Sequence, residues 1–226
     1  MPADPPRYPR LVIFDIDGTL MDTASWWPAV AVAGVAALAA ELGRPLPAPD
    51  AALANGLLGE PGDVLWRGLL PAADRGRWRR LRALTLPQEE AILRSGEDHA
   101  FPGTRALLRD LAAAGVHVAL ASNCGRRYLA GVLEGQGLGS LVEAALCLES
   151  PGISTKADMV AAHLDRFGTR DAVMVGDREG DLRAARAGGI PFVLRLGWHG
   201  PGELEAAAEA ASQAALGDAL AGMGRA

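Results

Sequence analysis

The stretch LVIFDIDGTL, residues 11–20, joins a short apolar run to two carboxylates spaced by one residue. Its first four residues are rich in β-formers, and Gly18 breaks the run directly after Asp17. This pattern predicts a fully buried strand that ends at a reactive edge. In open α/β sheets, ligands bind just outside the carboxyl ends of the strands. We therefore expect Asp15 and Asp17 to lie where a ligand binds.

A carboxylate pair at a strand end suits a hard cation and an in-line attack on phosphorus. One aspartate would act as the nucleophile and the other as acid and base. Residues two apart share a face of a regular strand, but a chain that turns at Gly18 need not keep that pattern. The structural alternative is an acidic turn that caps the strand.

Bulk composition narrows the class of protein. A chain of 226 residues suits one large domain or a core with a small insert, and half of its residues are hydrophobic. The net charge of −5 gives no general attraction for nucleic acid or anionic lipid. The apolar run 29–40 is too short to span a bilayer. We expect neither nucleic acid nor a membrane as partner.

The cysteines and the N-terminus bear on the compartment. Cys124 and Cys147 cannot form a disulfide framework, and the sequence has no CxxC pattern. Residues 1–6 lack the basic and apolar regions of a signal peptide and are expected to form a flexible tail. A reducing cytoplasm fits these features best.

Residues 22–98 lack the alternation of strands and helices and carry four of the five tryptophans. We predict an all-helical insert there, with helices near 24–42, 50–58, 63–69 and 72–95. From residue 99 short helices and strands alternate, which predicts a parallel, doubly wound α/β sheet. The expected domains are thus a core of residues 1–21 and 99–226 and a helical insert of residues 22–98. The Ala/Glu-rich tail from Pro201 is predicted to be helical.

Ser122 and Asn123 directly follow the predicted strand 116–121. A hydroxyl, an amide and free backbone N–H groups at a strand end can hold the oxygens of a phosphoryl group. Taken alone, the pair could equally begin a turn or cap a helix.

Lys156 is the only lysine among the 22 basic residues of the chain. An ammonium is a compact point charge, whereas a guanidinium is a broad fork, so this site can require the smaller cation. Lys156 stands at the start of a predicted helix, where it could neutralise a nucleophile and a phosphoryl group. The alternative is a solvated surface lysine.

Asp177 follows the predicted strand 172–176, and Asp181 lies one helical turn further along the chain. Both carboxylates face the same way and could complete an oxygen shell for Mg²⁺. The alternative is a pair of aspartates that stabilise a helix N-terminus.

Four motifs in this order resemble those of the haloacid dehalogenase superfamily in its phosphatase form. The resemblance covers residues 11–20 and 101–196, and it departs from the family pattern where Ala157, rather than proline, follows Lys156. It implies a Rossmann-like core, with the insert acting as a helical C1-type cap that closes over the site and excludes water.

The resemblance also implies roles for the motif residues. Asp15 would attack phosphorus and form an aspartyl-phosphate. Asp17 would protonate the leaving oxygen and later deprotonate water. Mg²⁺ would be held by Asp15, the backbone carbonyl of Asp17, Asp177 and, directly or through water, Asp181. Ser122, Asn123 and Lys156 would bind the phosphoryl group.

The function expected from the resemblance is hydrolysis of a small phosphorylated metabolite, as in phosphoglycolate phosphatases. A β-phosphoglucomutase-like mutase shares all four motifs, and a catalytically silent binding protein is a third possibility. A phosphonatase needs a lysine in the cap, which is absent here, and haloacid dehalogenases lack the aspartate present as Asp17.

Candidate substrate contacts outside the motifs are Asn55, Gly56, Arg67 and Arg126. Trp26 and Trp27 are expected in the interior of the cap rather than against a ligand. The four histidines lack metal-ligand spacing. The sequence is compatible with a monomer or a homodimer.

Overall fold

Six parallel strands form the centre of the protein in a computed structural model, which describes residues 7–224. The strands are β1 (Leu11–Phe14), β2 (His117–Ser122), β3 (Ala144–Cys147), β4 (Ala172–Gly176), β5 (Phe192–Arg195) and β6 (Ala208–Ala210). Their order in the sheet is β3-β2-β1-β4-β5-β6. The chain therefore winds first to one side of β1 and then to the other, and the predicted doubly wound α/β fold is confirmed.

Strand β1 is fully buried because the sheet is covered on both faces. Leu11 and Ile13 pack into one hydrophobic cluster, while Val12 and Phe14 pack into the other. This alternation follows from the two-residue period of a strand. An unbroken apolar sequence is what a strand buried on both faces requires.

The helices of the core lie between the strands in the chain. They are α5 (Thr104–Ala113), α6 (Arg126–Ala130), α7 (Lys156–Phe167), α8 (Glu179–Gly188) and α9 (Gln213–Leu220). Apolar residues of α7 and α8 cover the face of Leu11 and Ile13, and those of α5 and α9 cover the opposite face. Helix α6 continues directly into a π-helical turn at Gly131–Gly135.

All helices of the insert lie between β1 and α5 along the chain. They are α1 (Trp27–Leu42), α2 (Ala51–Leu57), α3 (Gly62–Gly68) and α4 (Trp78–Leu93), with 3₁₀ turns at Thr23–Ser25 and Ala72–Arg77. Trp26 and Trp27 are both buried, but Trp27 also lines a cavity that borders Asp17, so the expectation that it lies away from a ligand stays a prediction. The domain limits at residues 22 and 98 stay a prediction.

The tail differs from its predicted helix. Residues Ala208–Ala210 form the edge strand β6, and only Gln213–Leu220 is helical. Leu196 N–H donates to Ala210 O and Ala207 N–H donates to Phe192 O, so hydrogen bonds to the open edge of β5 override the helix propensity of alanine. The expected N-terminal tail, residues 1–6, lies outside the described residues. Within residues 7–224, no helix is both long and apolar enough to cross a membrane.

Two helical glycines allow a test of the packing between α1 and α4. A Cβ at Gly34 would lie 2.2 Å from Cγ2 of the buried Thr85, whereas a Cβ at Gly217 would make an ordinary contact 3.5 Å from Leu107. Gly34→Ala should lower the free energy of unfolding by about 1–3 kcal/mol, since overpacking costs that much. Gly217→Ala should raise it by up to about 1 kcal/mol through helix propensity. Urea unfolding of both variants measures the difference, and a stabilised Gly34→Ala would contradict the close approach.

Candidate active site

Asp15 and Lys156 form a buried ion pair at the carboxyl edge of the sheet. Lys156 Nζ lies 2.8 Å from Asp15 Oδ1, and the two residues are 6% and 1% exposed. The other oxygen, Asp15 Oδ2, has no hydrogen-bond partner among the described residues. One oxygen of Asp15 is thus fixed by the ammonium, and the second is free to react or to bind a cation.

The start of α7 fixes the position of Lys156. The hydroxyl of Thr155 accepts from Asp158 N–H, and the carboxylate of Asp158 accepts from Thr155 N–H, which is a capping box. Lys156 is therefore the first residue of the helix. The residue after Lys156 is alanine instead of the proline typical of the family. The capping box still fixes Lys156 at the first position of α7.

Asp177 and Asp181 join Asp15 in a compact acidic cluster. One carboxylate oxygen from each lies within 4.8 Å of the others. Lys156 donates to Asp181 Oδ1 over 2.6 Å, while Asp177 Oδ1 has no hydrogen-bond partner in residues 7–224. Gly18 has a φ of +74°, and a Cβ there would lie 2.3 Å from Asp177 Oδ2, so glycine allows this carboxylate to approach the β1 turn.

The electrostatics of the cluster favour a divalent cation. Burial, opposed by Lys156, raises the pKa of Asp15 to about 7. Burial and then the neighbouring Asp15 and Asp181 raise the pKa of Asp177 well above its usual range. Three buried carboxylates face two cations, Lys156 and Arg178, so the cluster stays under-neutralised, and oxygen ligands of this kind suit Mg²⁺.

Asp17 points away from the acidic cluster. Its Oδ1 accepts hydrogen bonds from Thr23 Oγ1 at 2.6 Å and from Tyr128 OH at 2.5 Å. Burial raises the pKa of Asp17, and the two hydroxyl hydrogen bonds oppose that rise. This arrangement suits a side chain that exchanges protons, and it leaves a metal contact through the main-chain carbonyl as a prediction.

Ser122 and Asn123 lie at the carboxyl end of β2, next to the turn after β1. Ser122 is 1% exposed. Asn123 Nδ2 donates over 2.7 Å to the carbonyl of Gly59, which lies in the predicted helical insert, residues 22–98, called the helical segment below. Both residues line the same cavity as Asp17. The predicted phosphate-binding turn therefore also contacts the cap.

Two cavities separate the helical segment from the sheet edge. The first, of about 280 Å³, is lined by Asp17 and Ser122 and extends among the tryptophans of the helical segment; we call it the tryptophan cavity. The second, of about 420 Å³, is lined by Lys156, Arg178 and Trp198; we call it the arginine cavity. Asn123 lines both cavities, so they meet at the predicted phosphate-binding turn.

The candidate substrate contacts outside the motifs differ in whether they lie at a cavity. Gly56 lines the arginine cavity. The carbonyl of Asn55 accepts from Arg178. Arg67 lines neither cavity, because its guanidinium lies over the ring of Trp78 at 5.6 Å. Arg126 also lines neither, since it hydrogen-bonds to Glu149 through both its backbone and its side chain.

Four residues at the site were not predicted: Thr23, Glu89, Tyr128 and Arg178. Arg178 lies 3.2 Å from Asp177, donates to Asn55 O and covers Trp198 at 4.1 Å. Leu81, Thr85 and Glu89 follow one another at intervals of four residues and lie on the buried face of α4. This helical spacing in the sequence indicates that Glu89 is buried. No comparable sequence signal indicates Tyr128, which lies 111 residues from Asp17.

Comparison with known proteins agrees with this geometry. The family model described as haloacid dehalogenase-like hydrolase matches residues 9–189. The chain therefore belongs to the haloacid dehalogenase-like hydrolases, and the predicted superfamily is confirmed.

Relatives of known name include a phosphoglycolate phosphatase from Pseudomonas savastanoi, 29% identical over 83% of this chain and 69% of that protein. The tyrosine-protein kinase PtkA of Mycobacterium tuberculosis is 30% identical over 87% of this chain, which spans 65% of its length. A crystal structure of a predicted phosphoglycolate phosphatase from Haemophilus somnus has a TM-score of 0.76 at 18% identity and covers 92% of this chain and 96% of its own. The family and the phosphatase relatives indicate a phosphatase.

The acidic cluster predicts stabilisation by metal. Mg²⁺ should raise Tm, because binding at a hundredfold excess over Kd contributes about 2.7 kcal/mol. Asp177→Asn should lose this shift without lowering the metal-free Tm, since the amide relieves burial of a charge beside Asp15 and Asp181, which outweighs its contact with Arg178. Thermal scans with and without Mg²⁺ measure both effects, with exposed Asp110→Asn as control. A full Mg²⁺ shift in Asp177→Asn would contradict the metal site.

The buried Glu89 predicts a loss of stability as the pH rises from about 4.5 to about 8. Burial, and then the charge of Asp17, raise its pKa from 4.5 to about 8 in the folded protein. The folded state therefore binds more protons than the unfolded state between these values, and stability falls as pH rises through them. Relative to Glu89→Gln, the natural protein should lose roughly 1.4 kcal/mol per pH unit in that window. Urea unfolding of both proteins at several pH values measures the slope, and parallel curves would contradict it.

Proposed function

We propose that this chain is a Mg²⁺-dependent phosphatase that hydrolyses a small phosphate monoester through an aspartyl-phosphate. The observation that carries the proposal is the buried carboxylate of Asp15, with one oxygen 2.8 Å from Lys156 and the other unpaired within residues 7–224. Lys156 favours the ionised form of Asp15, and only that form can attack phosphorus. The phosphoglycolate phosphatase relatives support the same reaction class.

The proposed reaction has two displacements at phosphorus. Asp15 Oδ2 forms a bond to phosphorus while the bond to the leaving oxygen breaks, and Asp17 gives that oxygen a proton. Asp17 then takes a proton from water, which attacks phosphorus and releases Asp15 and phosphate. Ser122, Asn123 and Lys156 hold the phosphoryl oxygens, and Thr23 and Tyr128 orient Asp17 through their hydrogen bonds.

The acidic cluster fits Mg²⁺, for which Asp15, Asp177, Asp181 and the main-chain carbonyl of Asp17 are the proposed ligands. When bound, the ion would offset the charge on the phosphoryl oxygens and on the nucleophile. Asp181 is also held by Lys156 and by the N–H of Arg178, so its contact could be direct or through water.

The remaining expectations are part of the same proposal. The substrate is a small phosphorylated metabolite, and the protein acts as a monomer or homodimer. A reducing compartment such as the cytoplasm suits its two free cysteines. A mutase that transfers the phosphoryl group between positions of a sugar, or a binding protein without turnover, would use the same motif residues.

The test is phosphate release from a panel of small esters that includes phosphoglycolate and hexose phosphates. Release should require Mg²⁺, stop with chelator, and fall roughly a thousandfold or more in Asp15→Asn, which lacks the nucleophile. Asp17→Asn should fall by about 10²–10⁴, the usual contribution of an acid/base group. The exposed variant Asp110→Asn controls for folding.

Other outcomes assign the alternatives. Interconversion of sugar phosphates without release would indicate the mutase. A folded, Mg²⁺-binding protein that turns over no ester would indicate a binding role. Full activity in Asp15→Asn would remove the aspartyl-phosphate mechanism.

A further inference from the structure

The tryptophan cavity is the space next to the proposed acid/base group. Asp17 and its partner Tyr128 line it at one end, and Ser122 and Asn123 line it beside them. Because Asp17 protonates the leaving oxygen in the proposed function, the alcohol part of the substrate has to begin there. The side chains that line this cavity therefore indicate the chemical class of the alcohol part of the substrate.

The wall of the cavity is largely apolar. Its large side chains come from all parts of the helical segment: Trp27, Leu58, Leu65, Trp66, Trp78 and Leu86. Trp27 and Trp66 meet edge to face with ring centroids 5.3 Å apart. Such a surface gains free energy by burying carbon rather than charge.

The ionisable side chains of the cavity offer an anion no free cation. Five carboxyl groups line it, from Asp17, Glu60, Asp63, Glu89 and Glu149. Within the described residues, Arg82 is the only basic residue on the wall, and its guanidinium is 2.5 Å from Glu149. A carboxylate on the leaving group would lose its hydration in this cavity without gaining contact with a free cation. Its binding would therefore be unfavourable.

The arginine cavity does not supply the missing cation. It is not lined by Asp17, and each of its basic side chains already faces a carboxylate. The pairs are Lys156 with Asp15 and Asp181, Arg178 with Asp177, Arg183 with Glu179, and His199 with Glu203.

Glu89 adds one polar contact to the apolar wall. It is 5% exposed and lines the cavity, and although the charge of Arg82 acts on it, its carboxyl group makes no hydrogen bond or salt bridge within residues 7–224. A buried carboxyl group without a protein partner is costly unless a ligand or water satisfies it. Its raised pKa keeps it protonated near neutral pH, so it can both donate to and accept from a neutral group.

We propose that the alcohol part of the substrate is an apolar, ring-sized group without negative charge, held against Trp27, Trp66 and Leu86, with Glu89 facing its one neutral polar substituent. This inference rests on the proposed phosphatase function and narrows its substrate. It separates this chain from enzymes that act on phosphoglycolate, whose leaving group carries a carboxylate.

The first test compares three esters of primary alcohols in the presence of Mg²⁺: phenethyl phosphate, ethyl phosphate and phosphoglycolate. We expect kcat/KM for phenethyl phosphate to exceed that for phosphoglycolate by about tenfold or more, with ethyl phosphate between them, since burying a ring contributes at least that factor. Equal or greater kcat/KM for phosphoglycolate would overturn the inference.

The second test places a cation in the wall. Leu86→Lys should lower the ratio of kcat/KM for phenethyl phosphate to that for phosphoglycolate by about tenfold, the size of one charge contact. Leu86→Met keeps an apolar side chain and should keep the preference. Leu53→Lys adds the same charge at an exposed position that lines neither cavity, and it should also keep the preference. An unchanged ratio in a folded Leu86→Lys would overturn the placement of the leaving group.

Binding separates this inference from the proposed function. Calorimetry on the natural protein with Mg²⁺ should show tighter binding of phenylpropyl phosphonate than of phosphonopropionate, which replace the ester oxygen of the two substrates by carbon. If no ester is hydrolysed, the proposed function fails, and the order of these two affinities still decides the inference. Tighter binding of phosphonopropionate would overturn it.

Discussion

The ammonium of Lys156 between Asp15 and Asp181 is the interaction on which the site depends. Its two contacts, 2.8 and 2.6 Å long, tie the end of β1 to the first turn of α8 through the first turn of α7. All three side chains are nearly inaccessible to water. A buried charge without a partner is strongly destabilising, so removal of the ammonium would leave like charges facing each other. The pair of contacts therefore holds the carboxylates together as well as serving the chemistry.

The register of the sheet explains why these groups meet. Phe14 on β1 is level with Leu120 on β2 and with Val175 on β4, so all three strands reach their carboxyl ends together. Asp15 follows Phe14 directly, and Ser122 and Asp177 each lie two residues beyond the positions that are level with Phe14. Parallel strands with right-handed crossovers place such ends on one edge, whatever the distance along the sequence. A site built from segments that lie far apart along the chain thus requires the correct pairing of short apolar strands.

The sequence predicted the parts of the site that follow from strand ends. Apolar runs followed by acidic or hydroxyl residues indicated Asp15, Ser122 and Asp177, and the rarity of lysine indicated Lys156. The sequence did not predict which residues of the helical segment contact the core. These contacts depend on how the two parts pack together, and the hydrophobic pattern of each part does not determine that. Arg67 illustrates this, since a one-residue step along α3 turns it to Trp78 while Trp66 faces the cavity. The prediction of a helical tail was wrong for a related reason. Ala208–Ala210 form a strand because they pair with the open edge of β5, which lies in another part of the fold.

Two backbone carbonyls of the helical segment accept hydrogen bonds from side chains at the carboxyl edge of the sheet. Gly59 O accepts from Asn123 and Asn55 O accepts from Arg178, so both contacts use side chains that also line the site. A phosphoryl group that recruits the amide of Asn123 would compete with Gly59 for the same donor. Substrate binding and the position of the loop at Gly59 are then coupled through one hydrogen bond. Gly59 also borders the tryptophan cavity. Under the proposed function, this loop would therefore link binding of the phosphoryl group to the space for the leaving group.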